Sequence, residues 1–192
     1  MNSSASTHDV LIRVQDTPNP NAWKFVLDRP VLLEGKASFS SPEDAYGNRL
    51  ALDLLSLPGA KQVHFFQNVI TVTARFDVMP EDIQPQVISV IQTRMPVHDP
   101  SFGIQESKKA SREHLPENVR KIEEILDETI RPGLQGDGGD LEVVRYEEDE
   151  NRLYVTYQGA CGTCPSSTAG TLMAIEGILR DAFNPSIEVI PL

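Results

Sequence analysis

Positive charge is scarce in this sequence. Its 192 residues include 17 Lys and Arg against 28 Asp and Glu, which gives a formal net charge of -11. Proteins that grip phosphate backbones or anionic lipid without sequence preference carry the opposite balance. Long apolar runs are also missing, since no stretch approaches the roughly 20 residues that a membrane-spanning helix needs. We therefore expect a soluble protein with neither nucleic acid nor membrane as its partner.

Cysteine is nearly absent as well, with Cys161 and Cys164 the only two in the chain. A secreted disulfide framework needs more cysteines, placed far apart in the sequence. The first ten residues, 1–10, contain neither the apolar core of a signal peptide nor the Arg-rich pattern of a transit peptide. These observations predict a cytoplasmic protein.

Acidity divides the chain into two portions. Residues 1–113 contain 11 basic and 13 acidic side chains, a net charge of -2, whereas residues 114–192 contain 6 and 15, a net charge of -9. Between the two portions, residues 96–113 hold two prolines and a glycine and show little hydrophobic periodicity. The sequence therefore predicts two small domains, 8–95 and 114–192, joined by a linker over 96–113.

Both portions predict mixed α+β domains, because strand-like alternation and helical periodicity occur in each. In the first, Gln67-Asn68 is a two-residue connection that suits a hairpin, and Ser41-Pro42 predicts the start of a helix. In the second, Arg131-Pro132-Gly133 is expected to stop the opening helix. The second portion then reads helix, strand, strand, helix, strand, over residues 115–130, 141–146, 152–158, 165–182 and 187–190.

The chemistry of the chain is concentrated at Cys161 and Cys164, which lie three positions apart between a predicted strand and a predicted helix. Gly159 and Gly162 permit a tight backbone path, and Pro165 suits the first position of the helix. A helix N-terminus favours the thiolate form of a nearby cysteine. Thiolates bind soft metals and also attack disulfides, so the motif by itself leaves both chemistries open.

Three interpretations of the cysteine pair compete. The simplest is that two small residues occupy a turn and have no function. A thioredoxin-like redox site is the second, although such sites come early in a βαβ fold and this motif follows a hairpin. The third is a metal site: an iron–sulfur cluster or tetrahedral zinc takes four thiolates, and two chains related by a two-fold axis would supply them.

Other polar residues suggest no further site. The four histidines, His8, His64, His98 and His114, are dispersed and are expected to be structural or solvated. Asp137 and Asp140 lie in a glycine-rich turn, where solvated carboxylates are expected. Motifs for a P-loop or a Ser-His-Asp triad are lacking, so the sequence predicts neither a nucleotide site nor a hydrolase.

Two sets of motifs resemble a known family. The run 134–141 (LQGDGGDL), followed by 159–167 (GACGTCPSS), resembles the NifU-like C-terminal domain of iron–sulfur cluster scaffold and carrier proteins. Upstream, 17–21 (TPNPN), 57–60 (LPGA) and 69–72 (VITV) resemble the Nfu-type N-terminal domain that accompanies it. Together the two resemblances cover nearly the whole chain.

The resemblance implies a carrier rather than an enzyme. It implies one [4Fe-4S] cluster per homodimer, bound by Cys161 and Cys164 of both subunits. Upstream assembly proteins would supply the cluster, apo iron–sulfur proteins would receive it, and the N-terminal domain would help to recognise partners. Two alternatives use the same cysteines: a thiol–disulfide oxidoreductase and a zinc-bridged dimeric interaction module.

Overall fold

The described part of the chain folds around two β-sheets, each with its own apolar core. The structure, a computed structural model, describes residues 9–102, 114–163 and 165–192, with the side chains of 163–169 left out of the description. We name residues 9–102 the N-terminal lobe and residues 114–192 the C-terminal lobe. The predicted α+β class is confirmed in both lobes. The predicted linker bounds stay a prediction, because most of 96–113 lies outside the described residues.

The N-terminal lobe is one antiparallel sheet, in the order β1-β2-β5-β4-β3, with two helices packed on one face. Its strands are β1 (Ile12–Asp16), β2 (Ala22–Leu27), β3 (Lys36–Phe39), β4 (Ala60–Phe66) and β5 (Val69–Ala74). Its helices are α1 (Arg49–Leu55) and α2 (Pro80–Arg94), and a short 3-10 turn, Met95–Val97, follows.

The C-terminal lobe is a three-stranded sheet in the order β6-β7-β8, in which β6 and β7 form a hairpin and β8 runs parallel to β7. Its strands are β6 (Gly139–Glu147), β7 (Arg152–Gly159) and β8 (Glu188–Pro191). Its helices are α3 (Glu117–Thr129), α4 (Arg131–Gly136) and α5 (Pro165–Ala182). Within the described part of the chain, no helix has the length and apolarity needed to cross a bilayer.

Alternation along the strands gives the N-terminal sheet two different faces, because successive side chains of a strand point in opposite directions. Phe25, Phe65 and Val72 belong to the apolar face and are buried in one core with Leu50 and Ile83 of the helices. The side chains between them form the opposite face, which has polar side chains such as His64, Thr71 and Thr73 at its centre and apolar ones such as Val26 and Phe66 beside them. This second face lies toward the C-terminal lobe and positions the functional site.

The hairpin predicted around Gln67-Asn68 is confirmed, with Gln67 in the left-handed region at φ 52°. The helix predicted to start at Ser41 is not formed. Asp44 does cap this segment, since its Oδ2 accepts the Ser41 N–H at 3.0 Å, but Gly47 at φ 86° then ends the turn. The helix starts instead at Arg49, where the Asn48 side chain accepts the Ala51 N–H at 3.0 Å.

The expected stop of the opening helix at Arg131-Pro132-Gly133 is confirmed, since α3 ends at Thr129, but these residues also open a second helix, α4, which the sequence pattern did not predict. Pro132 cannot continue α3, since it has no N–H to donate and its ring clashes with the preceding turn. The same residue fits the first turn of a new helix, where that N–H has no partner to lose. The chain therefore breaks at Ile130 and resumes as α4, which leads directly into β6.

Candidate functional site

Cys161 lies in a 3-10 turn, Ala160–Thr163, that joins the end of β7 to the start of α5. Gly159 has a φ of 63°, which turns the backbone out of the strand, and the Ala160 N–H donates to the Gly138 carbonyl at 3.1 Å. Cys161 is half-buried. Cys164 lies outside the described residues, so the pairing of the two thiols stays a prediction.

Gly139 at the start of β6 makes room for the thiol. A Cβ atom built on Gly139 would lie 2.5 Å from the Cys161 Sγ and 2.8 Å from the Gln158 carbonyl oxygen. Both distances are shorter than van der Waals contact allows, so a side chain at this position would displace the cysteine. The second glycine of the Gly138-Gly139 pair thus shapes the cysteine site as well as the turn, a role that the sequence pattern alone did not indicate.

Tyr157, near the end of β7, shares the electrostatic environment of Cys161. Burial raises the pKa of the Tyr157 phenol to about 12, and the negative charge of the Cys161 thiolate adds to the shift. The phenol therefore stays protonated at neutral pH. Among the described residues its hydroxyl has no hydrogen-bond partner. The site thus contains a neutral O–H donor that sequence analysis did not identify.

Asp140 is not the solvated carboxylate that its glycine-rich context predicts, since its residue is fully buried. Its Oδ1 accepts the Leu141 N–H at 2.6 Å and lies 3.5 Å from the Arg131 Nε, while its Oδ2 accepts from Gln135 at 3.2 Å. From the other lobe, the Lys36 Nζ lies 2.7 Å from Oδ1. Two cations and two N–H donors compensate the buried charge, which an isolated carboxylate could not afford.

Arg131, at the start of α4, is the cation within the C-terminal lobe that compensates the charge of Asp140. Burial by itself would lower the pKa of Arg131, but Glu123 and Asp127 outweigh it and raise the pKa above its ordinary value. The guanidinium lies 2.8 Å from a Glu123 carboxylate oxygen and also contacts Asp127. Arg131 therefore stays charged while it faces Asp140, and its contacts join α3, α4 and β6.

The N-terminal lobe contacts the cysteine turn directly. The Asn19 side-chain amide donates to the Ala160 carbonyl at 2.8 Å, and the Thr73 hydroxyl donates to the Gly159 carbonyl at 3.3 Å. A Cβ atom built on Gly162 would lie 3.4 Å from the Gln62 Oε1. His64 is buried beside Gly159 rather than solvated, at 3.2 Å from a Cβ built on that glycine.

Within the described ranges, no group of three or more His, Cys, Asp and Glu side chains could hold a metal ion. The residues around Cys161 are instead glycines, backbone carbonyls, a protonated phenol and the polar side chains of the other lobe. The described part of one chain therefore offers Cys161 as its single thiolate ligand.

Two family models match the chain, "NifU-like domain" over residues 122–190 and "Scaffold protein Nfu/NifU N terminal" over residues 12–97. The human protein named "NFU1 iron-sulfur cluster scaffold homolog, mitochondrial" is 33% identical over 184 residues, which cover 93% of this chain and 70% of that protein. The chain belongs to the Nfu/NifU scaffold family. The resemblance inferred from the motifs is therefore confirmed.

Plant members of the Nfu/NifU family are similar over a smaller share of their own length. "NifU-like protein 4, mitochondrial" from Arabidopsis thaliana is 32% identical over 174 residues, covering 88% of this chain and 62% of that protein. "NifU-like protein 5, mitochondrial" from the same plant is 30% identical, with 88% and 63% covered. The chain thus spans somewhat less than two thirds of these relatives.

The names of these family members overturn the predicted cytoplasmic location, since all three are described as mitochondrial. The prediction relied on the cysteine count and on the composition of the first ten residues. Neither observation decides the cellular compartment. Buried or metal-bound thiols occur in many compartments, and the composition of ten residues describes only those ten residues. The relationship points to mitochondria instead.

Proposed function

We propose that this chain is an iron–sulfur cluster carrier. Its cargo is one [4Fe-4S] cluster, held between two copies of the chain by Cys161 and Cys164 of each and handed on to apo-proteins. The role is non-catalytic, and upstream assembly proteins supply the cluster. The names of its relatives favour a mitochondrial setting.

The observation that carries this proposal is the cradle around Cys161 in a chain of the Nfu/NifU family. The thiol lies in a turn at the start of α5, over a glycine that leaves space for its sulfur. The preceding helix α4 and strand β6 fix that turn through the Gly138 carbonyl. A cysteine on a short, glycine-lined turn can serve as a thiolate ligand of a cluster, and a helix N-terminus favours its negative charge.

Two chains are required by the number of ligands. A [4Fe-4S] cluster takes four thiolates, and the sequence contains two cysteines. Identical subunits related by a two-fold axis place the same residues on both sides of a shared site. Such a site opens when one subunit leaves, because half of the ligands leave with it. This property suits delivery better than permanent storage.

Anaerobic reconstitution with iron and sulfide, followed by size-exclusion chromatography, tests the proposal. We expect a brown dimer with four irons and four sulfides for every two chains. Cys161→Ser and Cys164→Ser should each abolish stable cluster binding, because each variant removes two of the four thiolates from the dimer. Far-ultraviolet circular dichroism should show that both variants remain folded.

Met173→Ser is the matched control for the cysteine variants. Met173 lies on α5 close to the motif in sequence and is 75% exposed, so this variant also replaces a sulfur-containing side chain by serine. We expect it to bind a normal cluster. A cluster that survives in either cysteine variant, or a monomer with a complete cluster, would refute the shared ligand set.

Other results would support other functions. A colourless dimer that contains zinc would indicate the zinc-bridged module, and a reversible disulfide between the two cysteines with exchange activity would indicate the oxidoreductase. Delivery has its own test, in which the loaded dimer is mixed with an enzyme stripped of its [4Fe-4S] cluster. Recovery of that enzyme's activity in the presence of an iron chelator would show transfer from protein to protein.

A further inference from the structure

The polar face of the N-terminal sheet is continuous across neighbouring strands. In the strand register Lys24 lies opposite Thr71, Thr71 lies opposite His64, and His64 lies opposite Ser38. These four residues therefore form one row across β2, β5, β4 and β3. We use the name polar face for the polar side chains of this row and of its neighbours on the same side of the sheet, that is, for Lys24, Lys36, Ser38, Gln62, His64, Thr71 and Thr73.

The C-terminal lobe buries this face. Thr71 and His64 are each 1% exposed and Thr73 is 0% exposed, although water would normally solvate such side chains on the outside of a sheet. Lysines of the face reach across to backbone carbonyls, with the Lys24 Nζ donating to Gly136 at 2.5 Å and the Lys36 Nζ to Leu141 at 2.7 Å. The acceptors flank the glycine-rich turn that cradles Cys161.

A chain of hydrogen bonds crosses between the lobes at Ser38. The Gln158 amide donates to Glu142 at 2.7 Å, which leaves its oxygen to accept from the Ser38 hydroxyl at 3.1 Å. The Ser38 Oγ is also hydrogen-bonded to His64 Nδ1, at 2.7 Å. Every link in this chain is polar, and every group in it can bond to water when the lobes part.

Other groups at the same interface are poorly matched. Gln62 Oε1 and Thr71 Oγ1 are buried and have no hydrogen-bond partner in the parts of the chain that the structure describes. A buried polar atom without a hydrogen-bond partner is unfavourable, and exposure to water removes this penalty because water supplies the missing hydrogen bond. Interfaces between domains that resemble transient complexes have this polar, imperfectly satisfied character, whereas permanent ones are more apolar.

The ion pair between Lys36 and Asp140 can also open without leaving a buried charge alone. When the lobes separate, Asp140 keeps the Arg131 guanidinium, the Gln135 amide and the Leu141 N–H within its own lobe. Lys36 lies on the edge strand β3 of the other lobe and would regain water. The usual penalty for breaking a buried ion pair, an uncompensated charge, is therefore avoided.

We infer that the polar face is a reversible docking surface for the Cys161 turn, and that it competes for this turn with a second copy of the chain. The inference rests on the proposed function, because the second copy is needed to complete the cluster site. Docked side chains donate hydrogen bonds to the turn at Gly159 and Ala160, just before Cys161. Just after it, a Cβ atom built on Gly162 would lie 3.4 Å from the Gln62 Oε1. A partner subunit must bring its own cysteines to the same turn, so the N-terminal lobe has to give way.

Alkylation of Cys161 in the full-length, reduced, cluster-free protein tests the docking. N-ethylmaleimide is the reagent, and peptide mass spectrometry follows Cys161 separately from Cys164. Lys36→Gln should raise the alkylation rate of Cys161 roughly threefold to tenfold, because it removes one buried charge-assisted contact. Lys24→Gln breaks the face at a second point and should give a smaller increase in the same direction.

Lys61→Gln is the matched control, since Lys61 is an exposed lysine on β4 and the charge change is the same. We expect it to leave the alkylation rate unchanged. Equal rates in wild type, Lys36→Gln, Lys24→Gln and Lys61→Gln would overturn the docking surface. Circular dichroism and thermal melting of all four proteins establish that faster alkylation reports separation of the lobes and not unfolding.

The competition between the polar face and a second copy of the chain is measured separately, by the rate at which cluster-loaded dimer appears during reconstitution. Lys36→Gln should load faster than wild type and Lys61→Gln at the wild-type rate. Faster alkylation without faster loading would overturn the competition. Failure of every protein, wild type included, to load a cluster would refute the proposed function, while the alkylation rates would still decide whether the face docks.

Discussion

The two faces of the N-terminal sheet both have buried side chains at their centres, but the chemistry of these side chains differs. Phe65 on β4 packs edge to face against Phe39 and belongs to the core shared with the helices. Its neighbour in sequence, His64, is equally buried, yet it faces the other lobe and bonds to Ser38. One residue of displacement along a strand separates an apolar contact from a polar one, because the side chains alternate.

This difference indicates which contacts hold the lobe together and which can open. Exposure of apolar surface to water is unfavourable, so the face packed on α1 and α2 stays closed in the folded state. Polar groups recover hydrogen bonds in water, so the face on the cysteine turn separates at much lower cost. The comparison predicts that substitutions on the apolar face lower the stability of the fold strongly. Substitutions on the polar face should have smaller effects, mainly on the contact between the lobes.

The largest effect is expected from Phe65→Ala on the apolar face. Removal of this fully buried ring should lower the free energy of unfolding by roughly 3–5 kcal/mol, since it leaves a cavity that the sheet and helices cannot close. Urea unfolding measures the loss. Phe76→Ala is the control, because Phe76 is 90% exposed and its truncation should change stability by less than about 0.5 kcal/mol. Similar losses in both variants would contradict the assignment of the core.

An intermediate effect is expected from Asp140→Asn, which keeps the shape of the side chain and removes the charge that faces Arg131 and Lys36. The free energy of unfolding should fall by roughly 1–3 kcal/mol, since a buried charge-assisted contact is lost. The loss of attraction between Asp140 and Lys36 also favours separation of the lobes, so alkylation of Cys161 should become faster.

Asp137→Asn provides the matched control for that variant, because Asp137 lies in the same turn but is exposed. It should change neither the stability nor the alkylation rate. If the two variants behave alike, the buried position of Asp140 has no energetic consequence and the interface described here is not anchored by it.

The smallest effect, and the one that distinguishes individual contacts of the polar face, is expected from Thr71→Val. The valine has nearly the same shape and removes a hydroxyl that finds no partner among the described residues. Docking should therefore tighten by up to about 1 kcal/mol, which slows alkylation of Cys161. Thr73→Val removes a hydroxyl that donates to Gly159 and should act in the opposite direction. Equal shifts in the two variants would contradict the contacts assigned to them.

Much of the fold could be predicted from the sequence, because local patterns determine it. The hairpin at Gln67-Asn68 and, apart from the short helix α4, the helix–strand–strand–helix–strand order of the C-terminal lobe follow from turn residues and hydrophobic periodicity. The starts and stops of helices were less predictable. Ser41 has a good capping sequence, but Gly47 ends its turn before a helix forms, and Pro132 both ends one helix and opens the next.

The cysteine motif was identifiable from its spacing, whereas its surroundings were not. The surrounding residues are of common kinds: a glycine (Gly139), an aromatic residue in a strand (Tyr157) and a carboxylate in a turn (Asp140). Such residues occur in many unrelated sites, so their sequence positions alone do not indicate a role. Their roles depend on which strand lies opposite Cys161 and on which cation lies beside the carboxylate. Those neighbours come from β6, α4 and β3, and the cation on β3, Lys36, is distant from Asp140 along the chain.

By itself, the sequence determined the family, the mixed α+β class and the position of Cys161 between a strand and a helix. These features rest on local patterns, whose physical effects act within a few residues. Only the tertiary structure decided that a polar sheet face is buried, and that it lies on the cysteine turn. Alternation along the strands shows that the face is polar, but polarity alone predicts contact with water. The partner that replaces water there is fixed by packing between residues such as Lys36 and Asp140, which are more than one hundred positions apart.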